Sequence, residues 1–194
     1  MNKFAALLIS MLLALNSASQ KNLTEGAKLL FHNIKTTLTT SEKNQLFEKS
    51  GLALSRDNTQ FVIAGDVVFM DHPFSANVLP TDLNNDGKEE IFVVFGNIYT
   101  SGTTGSNILL FIKDKAGNYQ SNFGFSGTAP LIMPTKYLDY PDLVIGGPGE
   151  DFPIWRWNGK EYSFYRSITH NNLAKTKLIT AGQASKFYVN NIKE

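Results

Sequence analysis

Two stretches, VLPTDLNNDGKEEIFVVFG at residues 78–96 and IMPTKYLDYPDLVIGG at residues 132–147, are similar enough to indicate a weak internal repeat. Each stretch consists of an apolar segment, a polar segment and a second apolar segment, which is the pattern of two strands joined by a loop. The matched positions are Pro80-Thr81 with Pro134-Thr135, and Glu90-Ile91 with Asp142-Leu143.

The similarity continues downstream, where ILLFIKDKAGNYQ (108–120) is similar to PIWRWNGKEYSF (153–164), with Gly117 opposite Gly159 and Tyr119 opposite Tyr162. Each copy therefore predicts four strands, of which the first two are joined by a polar loop, the second and third by another loop, and the last two by a turn. This is the content of one propeller-type blade of about 40 to 50 residues. A closed propeller takes at least four blades, and the chain has room for roughly three. We expect an incomplete blade array, or one continuous sheet with helices packed against it.

A helical segment is predicted ahead of the repeats, at residues 22–51. Asn22 with Glu25 and Thr39 with Glu42 have the spacing of capping boxes, and Gly51 suits a helix end. The apolar residues expected on one face of the first helix are Leu23, Ala27, Leu30, Ile34 and Leu38. A hairpin around Asp57-Asn58 then begins the β-rich part of the chain.

The complete expectation is one α+β domain at residues 20–194, with helices packed on a mainly antiparallel, blade-like sheet. It divides into the helical segment 22–51, the β repeats 52–168 and a C-terminal segment 169–194. That last segment fits either a helix with Ala181, Ala184, Phe187 and Tyr188 inward, or a strand from Lys186 to Ile192.

The first 19 residues have the pattern of a signal peptide. Lys3 precedes an apolar run from Phe4 to Leu15, which is too short for a membrane-spanning helix and is followed at once by small residues. We expect cleavage after Ala18 or Ser19; the alternative is a buried N-terminal helix. The sequence has no cysteine, which favours a bacterial periplasmic or secreted protein over a small disulfide-linked eukaryotic one.

The net charge of the 194-residue chain is +1, with no basic run. This argues against nucleic acid as a partner. No second long apolar segment follows the signal sequence, so we expect no membrane insertion after its removal.

Oxygen-bearing residues alternate in the loop TDLNNDGKEE, residues 81–90. Counting from Asp82, they fall at positions one, three and five, with Gly87 sixth and Glu90 ninth. Calcium prefers six to eight oxygen ligands from carboxylates, amides and backbone carbonyls. This loop is not an EF-hand, because Val93 stands where that motif needs a bidentate Glu and a strand follows instead of a helix.

The pattern resembles the DxNxDGxx(D/E) loops of FG-GAP and VCBS-type repeats, over residues 78–96 and more weakly to residue 165. The resemblance implies a calcium loop within a propeller blade, with Asp82, Asn84, Asp86, the Lys88 carbonyl and Glu90 as ligands of one structural calcium ion. Position nine is Glu where that family more often has Asp, and Lys136 replaces Asp82 in the second copy. The alternative is an Asx-rich turn that binds no ion.

Aromatic residues are concentrated in the second copy. Trp155 and Trp157 are two apart and share one face of a strand, with Tyr162 on the next strand. Exposed, they would form a platform for a sugar ring or a protein partner; buried, they would be core residues. Arg156 on the opposite face favours a half-buried strand.

The sequence favours a non-enzymatic binding or interaction protein with a protein or glycan target. No thiol nucleophile is available and no GxSxG motif is present. The alternative is a periplasmic hydrolase of cell-wall or polysaccharide material, built on the carboxylates of Asp139, Asp142, Glu150 and Asp151.

Overall fold

The computed structural model describes residues 22–66, 68–147 and 151–192. The predicted signal peptide and Glu150 lie outside these residues. The described helices are α1 (Glu25–Leu30), α2 (Thr40–Lys49), α3 (Ile98–Ser101), α4 (His170–Leu173) and α5 (Ala181–Asn191), with 3-10 turns at Val68–Asp71 and Gly102–Thr104. None of these helices is long and apolar enough to cross a membrane.

The described strands are β1 (Leu52–Leu54), β2 (Phe61–Ile63), β3 (Ala76–Thr81), β4 (Glu90–Phe95), β5 (Asn107–Lys113), β6 (Tyr119–Ser126), β7 (Leu131–Tyr137), β8 (Tyr140–Val144), β9 (Asp151–Trp157), β10 (Tyr162–Thr169) and β11 (Ile179–Thr180). β1 and β2 form the predicted hairpin, with Asn58 in the left-handed conformation. The first sheet has the order β3-β4-β5-β6, and the second has the order β10-β9-β8-β7-β11. All the pairings are antiparallel.

The internal repeat corresponds to these two sheets strand for strand. β3 to β6 carry the first copy and β7 to β10 carry the second, so the predicted order of strands and turns is confirmed. Gly117 and Gly159, the matched glycines, both have positive φ in the turn before the fourth strand. The α+β class with mainly antiparallel sheets is confirmed, and the described residues form no closed propeller.

The first sheet has a buried cluster on each face, because its strands alternate apolar residues between two partners. On one face, Ile91 and Val93 share a cluster with Leu46 of α2. On the other, Phe92 and Leu110 share a cluster with Leu143 of the second sheet. A third cluster on the far face of the second sheet includes Val144, Ile154 and Leu173 of α4.

Two details of the helical predictions are wrong. The cap of α1 is Thr24, whose side chain accepts a hydrogen bond from the Ala27 amide, and Asn22 does not have this role. The helix also ends at Leu30 and does not continue to Leu38, since the chain turns at Asn33 with φ 59°. The Thr39–Glu42 capping box is confirmed at the start of α2.

The C-terminal segment forms β11 followed by α5, so the helical alternative is correct beyond Thr180. Ala181 and Ser185 are the buried residues of α5 and lie one turn apart. Phe187 lies on another face of the helix and is 74% exposed, which corrects the expectation that it points inward.

Candidate functional site

The acidic loop, defined here as residues 82–89, joins β3 to β4 in a tight reversal. Asn85 and Gly87 both have positive φ, which turns the chain back within a few residues. The two Asp82 carboxylate oxygens accept hydrogen bonds from the amides of Asp86 and Gly87, both at 3.0 Å. The loop is therefore curled around the Asp82 side chain.

The other two short side chains of the predicted ligand set accept backbone hydrogen bonds too. Asn84 Oδ1 accepts from the Asp86 amide at 3.1 Å, and Asp86 Oδ1 accepts from the Lys88 amide at 2.8 Å. The Lys88 ammonium lies 3.5 Å from Asp86 Oδ2 and is exposed. This geometry supplies the Asx-turn framework that both the metal-loop and the plain-turn predictions require.

Glu90 is the buried member of the predicted ligand set, with 2% of its surface exposed. Its Oε2 accepts a hydrogen bond from the Leu83 amide at 2.6 Å, and its Oε1 accepts one from the Tyr140 hydroxyl at 3.1 Å. Burial, with smaller contributions from the negative charges of Asp86 and Asp82, raises the pKa of this carboxyl to about 8 against the lowering effect of its hydrogen bonds. Three acidic groups thus act on one another at this end of the first sheet.

The chemistry of the loop fits a calcium ion at its three short side chains. Asp82, Asn84 and Asp86 combine carboxylate and amide oxygens, and calcium also accepts backbone carbonyls such as that of Lys88. Glu90 differs, since it is buried and hydrogen-bonded to Tyr140 of the second sheet. Among the described residues, no group of three or more His, Cys, Asp or Glu is arranged to hold a metal ion. Amide and backbone carbonyl oxygens would therefore have to complete a calcium site here.

Glu89, next to the proposed ligands, connects the loop to distant parts of the chain. It is 1% exposed; its carboxylate accepts hydrogen bonds from the Thr36 hydroxyl and, at 2.8 Å, from the Thr37 amide. Burial and the nearby Glu89 charge raise the pKa of Tyr188 of α5. No local pattern in the sequence indicates this role of Glu89, because its partners lie more than 50 positions away along the chain.

Asp142 holds the position of Glu90 in the second copy, and it is ion-paired. Its two oxygens accept from Arg156 Nε at 2.8 Å and Nη2 at 2.7 Å, and Oδ2 accepts from the Thr135 hydroxyl at 2.6 Å. Burial alone would raise the pKa of Asp142, but the hydrogen bonds from Arg156 and Thr135 outweigh it and hold the pKa below its usual range. The Tyr165 ring also contacts the Arg156 guanidinium, with 3.7 Å between the ring centroid and the guanidinium carbon.

The carboxylates considered for hydrolysis are spread over the second sheet. Asp142 is opposite Arg156 on the paired strands β8 and β9, whereas Asp151 begins β9, about 16 Å away at the spacing of strand residues. Asp139 lies in the two-residue turn between β7 and β8. Asp142 and Asp151 are therefore not brought together.

The three aromatic residues of the predicted platform differ in burial. Trp155 and Trp157 lie on one strand face, as expected, and are half-buried in the cluster between the two sheets. Trp155 stacks on Phe125 at 4.7 Å, and its indole nitrogen is buried with no hydrogen-bond partner among the described residues. Tyr162 is 3% exposed and donates its hydroxyl to the Pro141 carbonyl, so it is a core residue and not part of an exposed platform.

Comparison with known proteins does not assign the chain to a family. No family model matches the sequence, and no solved structure matches it. Slow-type myosin-binding protein C of Homo sapiens is 28% identical over 117 residues, which is 56% of this chain and 10% of that protein. The chain thus spans about a tenth of that relative, and the FG-GAP/VCBS resemblance stays a prediction from the loop motif.

Proposed function

We propose that this is an exported, non-enzymatic binding protein whose acidic loop holds one structural calcium ion. Its proposed target is a protein or a glycan, and its proposed location is the bacterial periplasm or the exterior. In this proposal the two four-stranded units are successive blades of an incomplete FG-GAP/VCBS-type propeller, with the N-terminal helices packed on the first. The signal-like N-terminus and the loop motif support it.

The observation that carries the proposal is the position of the loop between the layers. Glu90 accepts a hydrogen bond from Tyr140 of the second sheet, and Glu89 accepts hydrogen bonds from Thr36 and Thr37, which lie between α1 and α2 in the chain. A cation held at Asp82, Asn84 and Asp86 would offset the negative charge that gathers there, and so would stabilise the contacts of three layers at once. No nucleophile paired with a base accompanies the loop among the described residues, which supports a structural role for the ion.

Calcium dependence of the melting temperature tests this role. Calcium sites of extracellular modules have Kd values of about 10⁻⁴ to 10⁻³ M, so about 10 mM calcium should stabilise the folded protein by roughly 1.4 to 2.7 kcal/mol over EDTA. Asp82→Ala should abolish that gain. A melting curve that calcium leaves unchanged would support the ion-free turn instead.

Asp114→Ala is the matched control. The Asp114 carboxylate accepts hydrogen bonds from the amides of Ala116 and Asn118 in the turn between β5 and β6, much as Asp82 does in the acidic loop. The Asp114 turn has Ala116 at the third position and Asn118 at the fifth, so it offers one carboxylate and one amide where the acidic loop offers two carboxylates and an amide. The variant should therefore change the melting temperature equally with and without calcium.

Tryptophan fluorescence tests the binding function, because the sequence contains two tryptophans, at positions 155 and 157. Both are half-buried at the seam between the sheets, so a glycan or protein bound there should shift or quench their emission. Titration with soluble peptidoglycan fragments and polysaccharides is the direct measurement. Hydrolysis of any of these materials during the titration would favour the hydrolase alternative.

A further inference from the structure

A cleft of about 540 Å³ lies between β7, α5 and the acidic loop. Ile132, Met133 and Pro134 of β7 line one side, and Ala184 and Phe187 of α5 line another. Most of its surface is apolar, although Phe187 is 74% exposed to solvent. This is a concave apolar surface beside the loop, and the sequence analysis gave it no role.

The edge of β7 along this cleft is open. β11 pairs only with Leu131 and Ile132, and α5 begins immediately after Thr180. Residues 133–137 of β7 therefore have no strand neighbour on the β11 side among the described residues. On the β8 side Lys136 and Tyr137 are paired, and the register shifts between Ile132 and Lys136. An unpaired strand edge presents backbone N–H and C=O groups that another extended chain can bond. Pro134 removes one of these donors.

The chain itself does not supply that extra strand. In the antiparallel register of β11 with β7, the residue opposite Met133 would be Leu178. Leu178 instead packs with the cluster on the far face of the second sheet, together with Leu173. The described chain thus leaves the edge of the sheet two residues after it joins it.

Charge adds a second requirement for the occupant. Lys136 lines the cleft, is exposed, and has no carboxylate within ion-pair distance among the described residues. It stands where the first copy has Asp82, a proposed calcium ligand that lines the same cleft. A carboxylate of the occupant would complement this ammonium group.

We propose that the cleft binds an extended peptide segment, which adds as a strand to the open edge of β7. An apolar side chain of the peptide packs between Phe187 and the exposed Pro134, and a carboxylate of the peptide, from a side chain or the C-terminus, faces Lys136. Main-chain hydrogen bonds supply affinity in this mode of recognition, and side-chain pockets supply selectivity. The inference rests on the proposed binding function and specifies its target as a peptide.

The test begins with selection of a phage-displayed library of linear random peptides on the purified protein in calcium-containing buffer. Enriched sequences, made as fluorescein-labelled synthetic peptides, are then measured by fluorescence anisotropy. We expect enrichment of extended apolar sequences that carry Asp, Glu or a free C-terminus. Phe187→Ser should weaken their binding about tenfold or more, as truncation of an aromatic contact does at binding hot spots.

Two further variants define the site. Lys136→Glu should weaken binding about fivefold or more, since it replaces attraction by repulsion of the carboxylate. Phe164→Ser is the matched control: Phe164 is also exposed, at 60%, but belongs to β10 at the opposite edge of the second sheet. It should leave binding within about twofold. Because Phe187 is exposed, Phe187→Ser should have the same melting temperature as the wild type.

Hydrogen exchange distinguishes strand addition from adsorption. Bound peptide should slow exchange of amides in residues 133–137, where Pro134 has none, and leave β10 unchanged. Peptide binding that is insensitive to Phe187→Ser and Lys136→Glu, or that gives no protection in β7, overturns the proposal. So does a dimer in sedimentation that Phe187→Ser dissociates, because the occupant would then be a second copy.

The failure of this inference is separable from that of the proposed function. If no peptide binds at β7 but a glycan changes the tryptophan emission, the cleft proposal is wrong and the binding function stands. If neither peptides nor glycans bind, both fail.

Discussion

Glu90 and Asp142 hold equivalent positions in the two repeats, and each is a carboxyl group buried between or beside sheets. At Glu90 the neighbouring hydrogen bonds do not outweigh burial, and the pKa rises to about 8. At Asp142 a bidentate Arg156 holds the pKa below its usual range. Arg156 lies opposite Asp142, whereas in the first sheet the side chains near Glu90 come from the next layer. The same buried position thus makes a hydrogen bond between the two sheets at Glu90 and an ion pair within the second sheet at Asp142.

Arg156→Met should lower the free energy of unfolding by about 2 to 3 kcal/mol, because it leaves Asp142 buried without its cation. Replacing both members, as Asp142→Leu with Arg156→Met, should recover most of the loss, since no unpaired charge then remains. Urea denaturation measures both. The control is Arg56→Met, which removes one member of an exposed ion pair with Asp71 and should change stability little. If the double variant is no more stable than Arg156→Met, the loss comes from the packing of the Arg156 side chain and not from the unpaired charge of Asp142.

The same ion pair predicts a pH dependence. The folded-state pKa of Asp142 lies below its ordinary value of 3.8, so the unfolded chain binds more protons in that range. The stabilisation is therefore complete above about pH 5 and is lost as the pH falls through the lowered pKa. The difference in unfolding free energy between the wild type and Arg156→Met should be largest near neutral pH and shrink in acid. A difference constant from pH 7 to pH 3 would contradict this.

At the scale of elements, local signals predicted some boundaries and missed others. The Thr39–Glu42 box marks the start of α2, because both of its hydrogen bonds form within one turn. The end of α1 was predicted too late, since its apolar spacing continues to Leu38. Thr36 and Thr37, within that spacing, instead bond to Glu89. These long-range hydrogen bonds to Glu89 form in place of a further turn of α1.

Contact between α1 and α2 depends on a glycine. A Cβ atom added at Gly26 would lie 2.0 Å from the Phe47 ring, so the two helices approach closely at this point. Gly26→Ala should destabilise the protein by about 1 to 3 kcal/mol, although alanine is the better helix former. The matched control is Gly182→Ala in α5, where the nearest atom to the new Cβ is 3.7 Å away. That variant should be neutral or stabilising by up to about 1 kcal/mol, and thermal or urea unfolding compares the pair.

At the scale of the whole molecule, the repeat is preserved in its hydrogen bonds as well as in its strands. Tyr119 donates its hydroxyl to the Glu89 carbonyl at 2.9 Å, and Tyr162 donates to the Pro141 carbonyl at 2.8 Å. The amide of each tyrosine donates to a side-chain oxygen of the preceding layer. These acceptors are Gln45 of α2 for Tyr119 and Asn122 of the first sheet for Tyr162. Tyr119 is therefore hydrogen-bonded to α2 in the same way that Tyr162 is hydrogen-bonded to the first sheet.

This equivalence predicts equal effects of equivalent substitutions. Tyr119→Phe and Tyr162→Phe should each lower the free energy of unfolding by about 1 to 3 kcal/mol, because each removes the donor from a buried carbonyl. Their effects should add in the double variant if the two sites are independent. Tyr99→Phe, at a residue 61% exposed, serves as the neutral control. If urea denaturation gives strongly unequal losses of unfolding free energy for the two variants, the two tyrosines are equivalent in position but not in their contribution to stability.

The sequence by itself determined the strand frame, the turns and the α2 cap, because each depends on residues within a few positions of one another. Gly117, Gly159 and Asn58 have the backbone conformations that their turns require, and alternating apolar residues specify strands whatever they pack against. The oxygen spacing of the acidic loop is equally local.

Only the tertiary structure decided what these elements contact. Glu90 meets Tyr140 fifty positions later, Glu89 meets Thr36 fifty-three positions earlier, and Phe187 is exposed where an inward residue was expected. The open edge of β7 likewise depends on where β11 leaves the sheet. The physical reason is that burial and hydrogen-bond partners depend on how separate layers pack, and no local pattern of residues specifies that packing.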